Sequence, residues 1–434
     1  MSYNRRKFIN QLTGAAGTMA FSTLLNPTIA TKIEKALHKI KGQNAQQSAT
    51  NEDFWQQIRQ AYTVSATVIN LNNGGVSPQP KVVQDAVERY NRLSNETPSY
   101  YMSRILAFNK EPLRRQLAAL AGCTKEEIAI HRNTTESLAN IIFGLPLNAG
   151  DEIVLTKQDY PNMINAWKQR AERDGIVLKW IDLDFSKTKA NELVQQFTST
   201  FTPKTKLVHL THVINWNGQV LPVRAIADIA HKKGIEVLVD AAHSFAHLDF
   251  KISDLNCDYL GTSLHKWLCA PFGTGMLYVK KEKIKKIWPL LSAPEPQSDD
   301  IRKFENLGTR SLGVEAAIGQ AIVFHNMIGS ERKQARLQFL KNYWTQKVKD
   351  IPGLHFQTSL DPTNSCGIAL FTIDGVKPQK LSQQIFDDYK IHTVAIHWEN
   401  IHGVRVTPNV YTLLSELDLF AKAVREVATA QLRK

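Results

Sequence analysis

Asp240 and Lys266 stand 26 residues apart. The acid closes the apolar run Val237-Leu238-Val239, as a buried parallel strand does at its carboxyl end. The spacing fits about one helix and one further strand, so both groups would sit at neighbouring strand ends and face one crevice. A lysine there can form a Schiff base with an aldehyde. An aspartate there can keep a pyridinium nitrogen protonated. These are the two groups that pyridoxal 5'-phosphate (PLP) asks of its protein. The same residues also read as a surface lysine and a helix-capping acid, and the local pattern is compatible with both.

The elements around them offer more chemistry. Ile128-Ala129-Ile130 reads as a strand, and Leu138 to Leu145 as an apolar helix. Between them lies Arg132-Asn133-Thr134-Thr135-Glu136-Ser137, where Asn133 and Glu136 have N-cap spacing. Backbone N–H groups, two threonine hydroxyls and a positive helix end make a phosphate site; plain capping is the alternative. Tyr160 follows the strand Asp151–Thr156 and could stack on a planar ring or simply fill a loop. Asn73-Gly74-Gly75 is a turn that lets backbone approach a ligand, or a tight turn with none. Gly308-Thr309 opens a helix near Leu312 and is a second possible phosphate contact. Arg114 and Arg115 on the helix Asn109–Ala121 read as solvent or interface charges. Strands and helices alternate as far as Asp240, and the reactive residue types fall just after strands. That order predicts an α/β fold, a mostly parallel sheet with helices on both faces. Residues beyond 311 suggest a smaller α+β domain, with strands near Gly367–Phe371, Val394–Ile396 and Val404–Val406.

The totals bound the alternatives. With 434 residues the chain can bury a large core, and 43% hydrophobic residues is ordinary for a globular enzyme. The net charge of +13 could draw nucleic acid, but the basic residues form scattered clusters such as Lys280–Lys286 rather than a stripe with interleaved aromatics. No nucleic-acid partner is expected. The four cysteines are widely spaced with no C-x-x-C, which argues against a zinc site or a disulfide framework. No apolar run is long enough for a stable membrane span. At the N-terminus, Arg5-Arg6-Lys7 precedes a mild apolar stretch from Leu12 to Leu25. This resembles a twin-arginine export signal and predicts an exported, periplasmic protein; a disordered basic tail would leave it cytoplasmic. Thr28-Ile29-Ala30 is a partial cleavage site.

Together these residues resemble the class V PLP-dependent aminotransferases of fold type I, which include cysteine desulfurases and isopenicillin N epimerase. The resemblance runs from about Asn70 to Phe420. V-D-A-A-H at 239–243, followed through C-D-Y-L-G-T by S-L-H-K at 263–266, carries it. It implies Lys266 as the Schiff-base lysine and α-proton shuttle, and Asp240 as the partner of the pyridine nitrogen. His243 would sit near the ring oxygen or the aspartate. Thr134 and Thr135, with Thr262 and His265, would grip the phosphate. Asn215, from H-V-x-N-x-x-G, would meet the ring hydroxyl, and Tyr160 stands where many relatives stack a histidine. Gly308 and Thr309 would reach the neighbouring subunit's phosphate, so a homodimer with shared sites is implied. Arg405, in V-R-V-T-P-N-V-Y-T, would clamp a substrate α-carboxylate, with Asn73 also beside the substrate. No metal is implied.

The resulting plan has a signal segment (1–30), a linker with a helix (31–69), a large PLP-binding domain (70–310) with a seven-stranded sheet, and a small C-terminal domain (311–434). The implied function is a PLP-dependent aminotransferase or epimerase acting on an amino acid through an external aldimine and an α-carbanion. Transamination, epimerisation and β-elimination stay open. Cysteine desulfuration is disfavoured, because no cysteine lies between Ile391 and Thr412 and Cys366 opens an apolar strand. A PLP-fold binding protein without catalysis is the reading of another class. The loops around Asn73, Tyr101, Trp216 and His397 would shape the substrate pocket.

Overall fold

The computed structural model describes residues 27–185 and 189–432. The twin-arginine motif and the apolar stretch behind it lie outside these residues. The first element, α1 (Pro27–Lys39), contains the partial cleavage tripeptide. The segment expected to be a linker is docked. Ile33, Ala36 and Ile40 recur at helical spacing and are buried with Phe54, Trp55 and Ile58 of α2 (Glu52–Gln60) in the main core. Among the described residues no helix is long and apolar enough to cross a membrane.

A two-residue strand, β1 (Ile69–Asn70), precedes the main sheet. That sheet holds β2 (Ile128–His131), β3 (Glu152–Thr156), β4 (Val177–Ile181), β5 (Thr205–Thr211), β6 (Glu236–Asp240), β7 (Tyr259–Ser263) and β8 (Gly275–Val279). Their spatial order is β2-β8-β7-β6-β5-β3-β4, and β8 alone runs antiparallel to its neighbours. Apart from the edge strand β4, the strands are buried because both faces of the sheet are covered. On one face lie Leu138 and Ile141 of α3 (Thr134–Gly144) and Trp167 of α4 (Pro161–Asp174). On the other lie Phe197 of α5 (Ala190–Thr198) and Ile226 and Ala230 of α6 (Val223–Lys232). This is the expected doubly covered, mostly parallel α/β sheet.

The smaller lobe has a four-stranded antiparallel sheet of β9 (Leu354–Phe356), β10 (Ala369–Ile373), β12 (Val394–Trp398) and β13 (Ile401–Val406), in the order β12-β13-β10-β9. Trp344 of the long helix α7 (Ser330–Val348) packs edge-on against Phe371 and against Phe420 of α8 (Leu414–Leu432). The glycine-rich turn at 73–75 is stitched to this lobe. β1 pairs in parallel with β11 (Ile391–His392), and Asn72 bridges to Thr407. The turn is therefore held between the two lobes, where a ligand would enter.

One expectation fails outright. Arg114 is not a surface charge: its side chain is buried, its guanidinium clamps the Glu305 carboxylate and it also donates to the Ile128 carbonyl.

Candidate active site

The parallel register pairs Asp240 with Gly261, so the end of β6 lies beside β7, whose exit turn carries Lys266. Both side chains line one cavity of ≈ 550 Å³ at the carboxyl edge of the sheet. Thr134, Thr135, Tyr160, Asn215, His243, His265 and Arg405 line the same space. Nine of the residues singled out by sequence thus converge on one crevice, as the strand-end rule for open α/β sheets requires.

Lys266 is half-buried, and its Nζ lies 3.1 Å from His243 Nε2. Burial lowers its pKa from 10.5 to about 8; Arg405 adds to the effect and Asp240 opposes it. Trp267 Nε1 donates to His243 Nδ1 at 3.4 Å, and an indole N–H can only donate. The His243 proton therefore sits on Nε2 and points at Lys266 Nζ, a contact that is a hydrogen bond when Lys266 is the free amine. Burial, together with the Lys266 and Arg405 charges, holds His243 well below its usual range, so the imidazole is neutral. Asp240 accepts from the Ala242 N–H at 2.9 Å; burial raises its pKa, while His209 and Lys266 pull the other way.

The phosphate-like corner is built at the start of α3. Asn133 caps the helix by accepting from the Glu136 N–H. The Thr134 N–H donates to Ser263 Oγ at 3.0 Å, and the two hydroxyls lie 2.7 Å apart. Gly275 of β8 permits this seat, because a Cβ there would stand 2.6 Å from the Asn133 backbone. His265 donates Nδ1–H to the Thr274 carbonyl at 3.0 Å, which leaves Nε2 for a ligand.

Arg405 enters from β13 in the other lobe. It is buried, donates Nη1–H to the Asn215 carbonyl at 2.6 Å and Nη2–H to Asn72 Oδ1 at 3.1 Å. Burial lowers its pKa from 12.5 to about 10. Among the described residues no carboxylate pairs with it, and its Nε has no acceptor. Asn215 Oδ1 is likewise buried without a donor. Buried polar atoms are rarely left so, and a ligand is the usual remedy. A cofactor hydroxyl and a carboxylate would supply the two missing partners. A helix start with free hydroxyls fits a phosphate, an acid at a strand end fits a pyridine nitrogen, and an amine held near neutrality fits an aldehyde. The donor set fits PLP.

Four expected residues are placed elsewhere. Thr262 points away from the cavity and donates to the Ala241 carbonyl at 3.1 Å, because successive strand residues alternate faces. Its neighbour Ser263 does the gripping instead. Asn73 is saturated by the Asn70 and Thr407 carbonyls and the Tyr411 hydroxyl. It is Asn72 that touches Arg405. Gly308 and Thr309 are exposed on a loop that does not line this cavity. Tyr101 and His397 are not among the lining residues either, whereas Trp216 is, stacked on Trp398 with centroids 5.3 Å apart. Ser263 was visible inside S-L-H-K, but its facing follows from the register with Asp240, which no single sequence states.

The profile of the aminotransferase class-V family matches residues 48–398. Isopenicillin N epimerase from Streptomyces clavuligerus is 26% identical over 387 residues, 85% of this chain and 97% of that protein. A probable cysteine desulfurase from Halalkalibacterium halodurans is 30% identical over 390 residues, 83% of this chain and 93% of that one. Among solved structures, the apo cysteine desulfurase of Thermococcus onnurineus NA1 superposes with a TM-score of 0.76 at 24% identity, over 86% of this chain and 98% of that chain. That likeness establishes the architecture, fold type I. The chain belongs to the class V aminotransferase family. It is a PLP-dependent enzyme.

Proposed function

We propose that the protein acts at the α-carbon of an amino acid and that Lys266 is both the anchor of the cofactor and the carrier of the α-proton. When bound, PLP supplies an electron sink conjugated to that carbon. The chain's own residues do the rest. The Asp240 carboxylate accepts from the pyridine N–H and keeps it protonated. Thr134, Thr135, Ser263 and His265 hold the phosphate, and Asn215 Oδ1 accepts from the ring hydroxyl. Arg405 offers a planar fork to the substrate carboxylate and fixes which bond at Cα faces Lys266. Lys266 Nζ, an amine lowered to about 8, can take a proton near neutral pH and return it. The His243 Nε2–H, 3.1 Å away, orients that amine.

The observation that carries this reading is the single cavity joining a half-buried lysine of lowered pKa, an acid and an arginine without a carboxylate. Similarity to isopenicillin N epimerases supports proton return to Cα; the family supports transamination. Cysteine desulfuration, the activity named for other relatives, requires a thiol that can reach the substrate. Cys257, Cys269 and Cys366 are buried, Cys123 is half-buried, and none of the four lines the cavity. Elimination without a protein thiol remains a chemically complete alternative.

Incubation with a panel of amino acids in deuterated water separates these outcomes. Deuterium at Cα without keto acid gives epimerase or racemase. Keto acid gives transaminase, and ammonia with pyruvate gives β-lyase. A protein that stays colourless after reconstitution with PLP would sink the enzymatic reading and leave the binding protein. The proposal includes a homodimer, with exposed Gly308 and Thr309 meeting the other subunit's phosphate. The exposed large apolar side chains Phe272, Trp288, Leu290 and Leu291 suit an interface. A monomer in analytical ultracentrifugation would refute it. It also includes twin-arginine export; Arg5→Lys with Arg6→Lys should then retain the protein in the cytoplasm.

A further inference from the structure

One buried titratable group has no part in the mechanism above. His209 lies in β5 and is fully buried. Alternation along the strand puts His209 on the same face as Leu207 and Thr211. The register places His209 beside Leu238 and Thr211 beside Asp240, so His209 sits on the Asp240 face, one step deeper in the sheet. Trp167 of α4 donates its indole N–H to His209 Nδ1 at 3.2 Å. An indole can only donate, so Nδ1 is the bare nitrogen and the ring's proton is on Nε2. Among the described residues that Nε2 finds no acceptor. Burial lowers the His209 pKa to about 4 although Asp240 opposes that shift, so the imidazole is neutral and can act on Asp240 only through its Nε2–H.

A buried N–H without an acceptor is destabilising, because it has given up water and gained nothing. Leucine or valine, like the other inward residues of these strands, would avoid that cost. We propose that His209 is a positioning residue for Asp240: Trp167 fixes its tautomer, and its Nε2–H is the donor that, through one water, holds the Asp240 carboxylate ionised and turned toward the cofactor nitrogen. Asp240 is buried and has a second acid nearby in Asp159, itself held by the Thr211 hydroxyl and the Thr156 N–H. Both burial and Asp159 favour a protonated Asp240. Lys266 opposes them only until its charge is lost to the cofactor linkage. After that, the Ala242 N–H remains, and the His209 Nε2–H is the second local donor that favours the anion.

This inference rests on the reading of Asp240 as the partner of the pyridine nitrogen, and two measurements keep the two apart. First, ¹⁵N spectra of histidine-labelled, cofactor-free protein should show His209 neutral with Nδ1 bare, and Trp167→Phe should mix the tautomers. Spectra with the proton on Nδ1 overturn the proposal whatever the cofactor does. Second, cofactor-free wild type, His209→Phe and His209→Gln are titrated with PLP, following tryptophan fluorescence and the absorption band of the bound cofactor against pH. His209→Phe should bind about tenfold or more weakly, the loss expected for one donor to a charged group, with a displaced pH profile. His209→Gln, which keeps an N–H near the Nε2 position, should restore much of both. Unchanged affinity and pH profile in a folded His209→Phe protein overturn the inference. Failure of Asp240→Asn to alter the same readouts points instead to the reading of Asp240.

Discussion

Two buried arginines, Arg114 and Arg405, divide the molecule into a part that is finished and a part that waits. Arg114 meets Glu305 through two nitrogens, and Glu305 also accepts from Lys110 and the Ile130 N–H. Burial opposes ionisation of Glu305, yet Arg114 and Lys110 hold its carboxyl at about 2. Arg405 is as deeply placed but is met only by an asparagine carbonyl and an asparagine amide oxygen. A buried charge with its counter-charge in place is architecture. A buried charge without one, facing a cavity and with a nitrogen unpaired, leaves room for a ligand's. The difference is not burial, which the two share, but saturation.

Substitutions should follow that line. The largest effect belongs to the waiting region: Lys266→Ala should lower turnover by a factor on the order of 10⁴ or more, because anchor and proton carrier are lost together. It should also abolish the borohydride-reducible link to PLP, with the urea midpoint unchanged or raised. Next is Arg114→Met, which strands the Glu305 carboxylate and should cost about 3–5 kcal/mol in urea unfolding. Activity per folded molecule should survive. A large fall in turnover at unchanged stability would erase the distinction between the two regions.

Sequence reading reached the site further than it reached the interior. Asp240, Lys266 and Thr134 were legible because strand ends announce themselves by composition, and the sheet then collects them. What it missed were facings and pairings. Thr262 and Ser263 are adjacent hydroxyl residues, and only the register with β6 says which one looks into the cavity. Asn72 and Asn73 are identical in type, yet one holds Arg405 and the other is tied to Asn70, Thr407 and Tyr411, a choice made by the β1–β11 stitch. Arg114 looked exposed because its partner lies 191 residues away in a loop, beyond any local pattern. The docked α1 was underrated because its apolar positions are few, although their helical spacing was present.

Arg405→Gln gives the third test. It should reduce kcat/KM about 10–100-fold through lost carboxylate contacts, while the unfolding free energy moves by less than about 1 kcal/mol. A loss of stability as large as that of Arg114→Met would mean that Arg405 is saturated after all and belongs to the architecture.

The smallest effect is the sharpest on mechanism, because the two regions should answer pH in different windows. Glu305 has a folded pKa of about 2 against an ordinary 4.5. Its contribution is complete above the ordinary value and is lost as pH falls through that window toward about 2. Lys266 is shifted the other way for a base, to about 8 from 10.5. Between those values the unfolded chain binds the extra proton, so stability of the cofactor-free protein should rise with pH there. At neutral pH the finished region therefore adds stability and the waiting region subtracts it. Urea midpoints measured against pH on cofactor-free wild type, Arg114→Met and Lys266→Met resolve the two limbs. Arg114→Met should flatten or invert the acid limb alone, and Lys266→Met the alkaline limb alone. An alkaline slope that survives in Lys266→Met would assign that titration to another group and remove the near-neutral amine on which the proposed proton transfer depends.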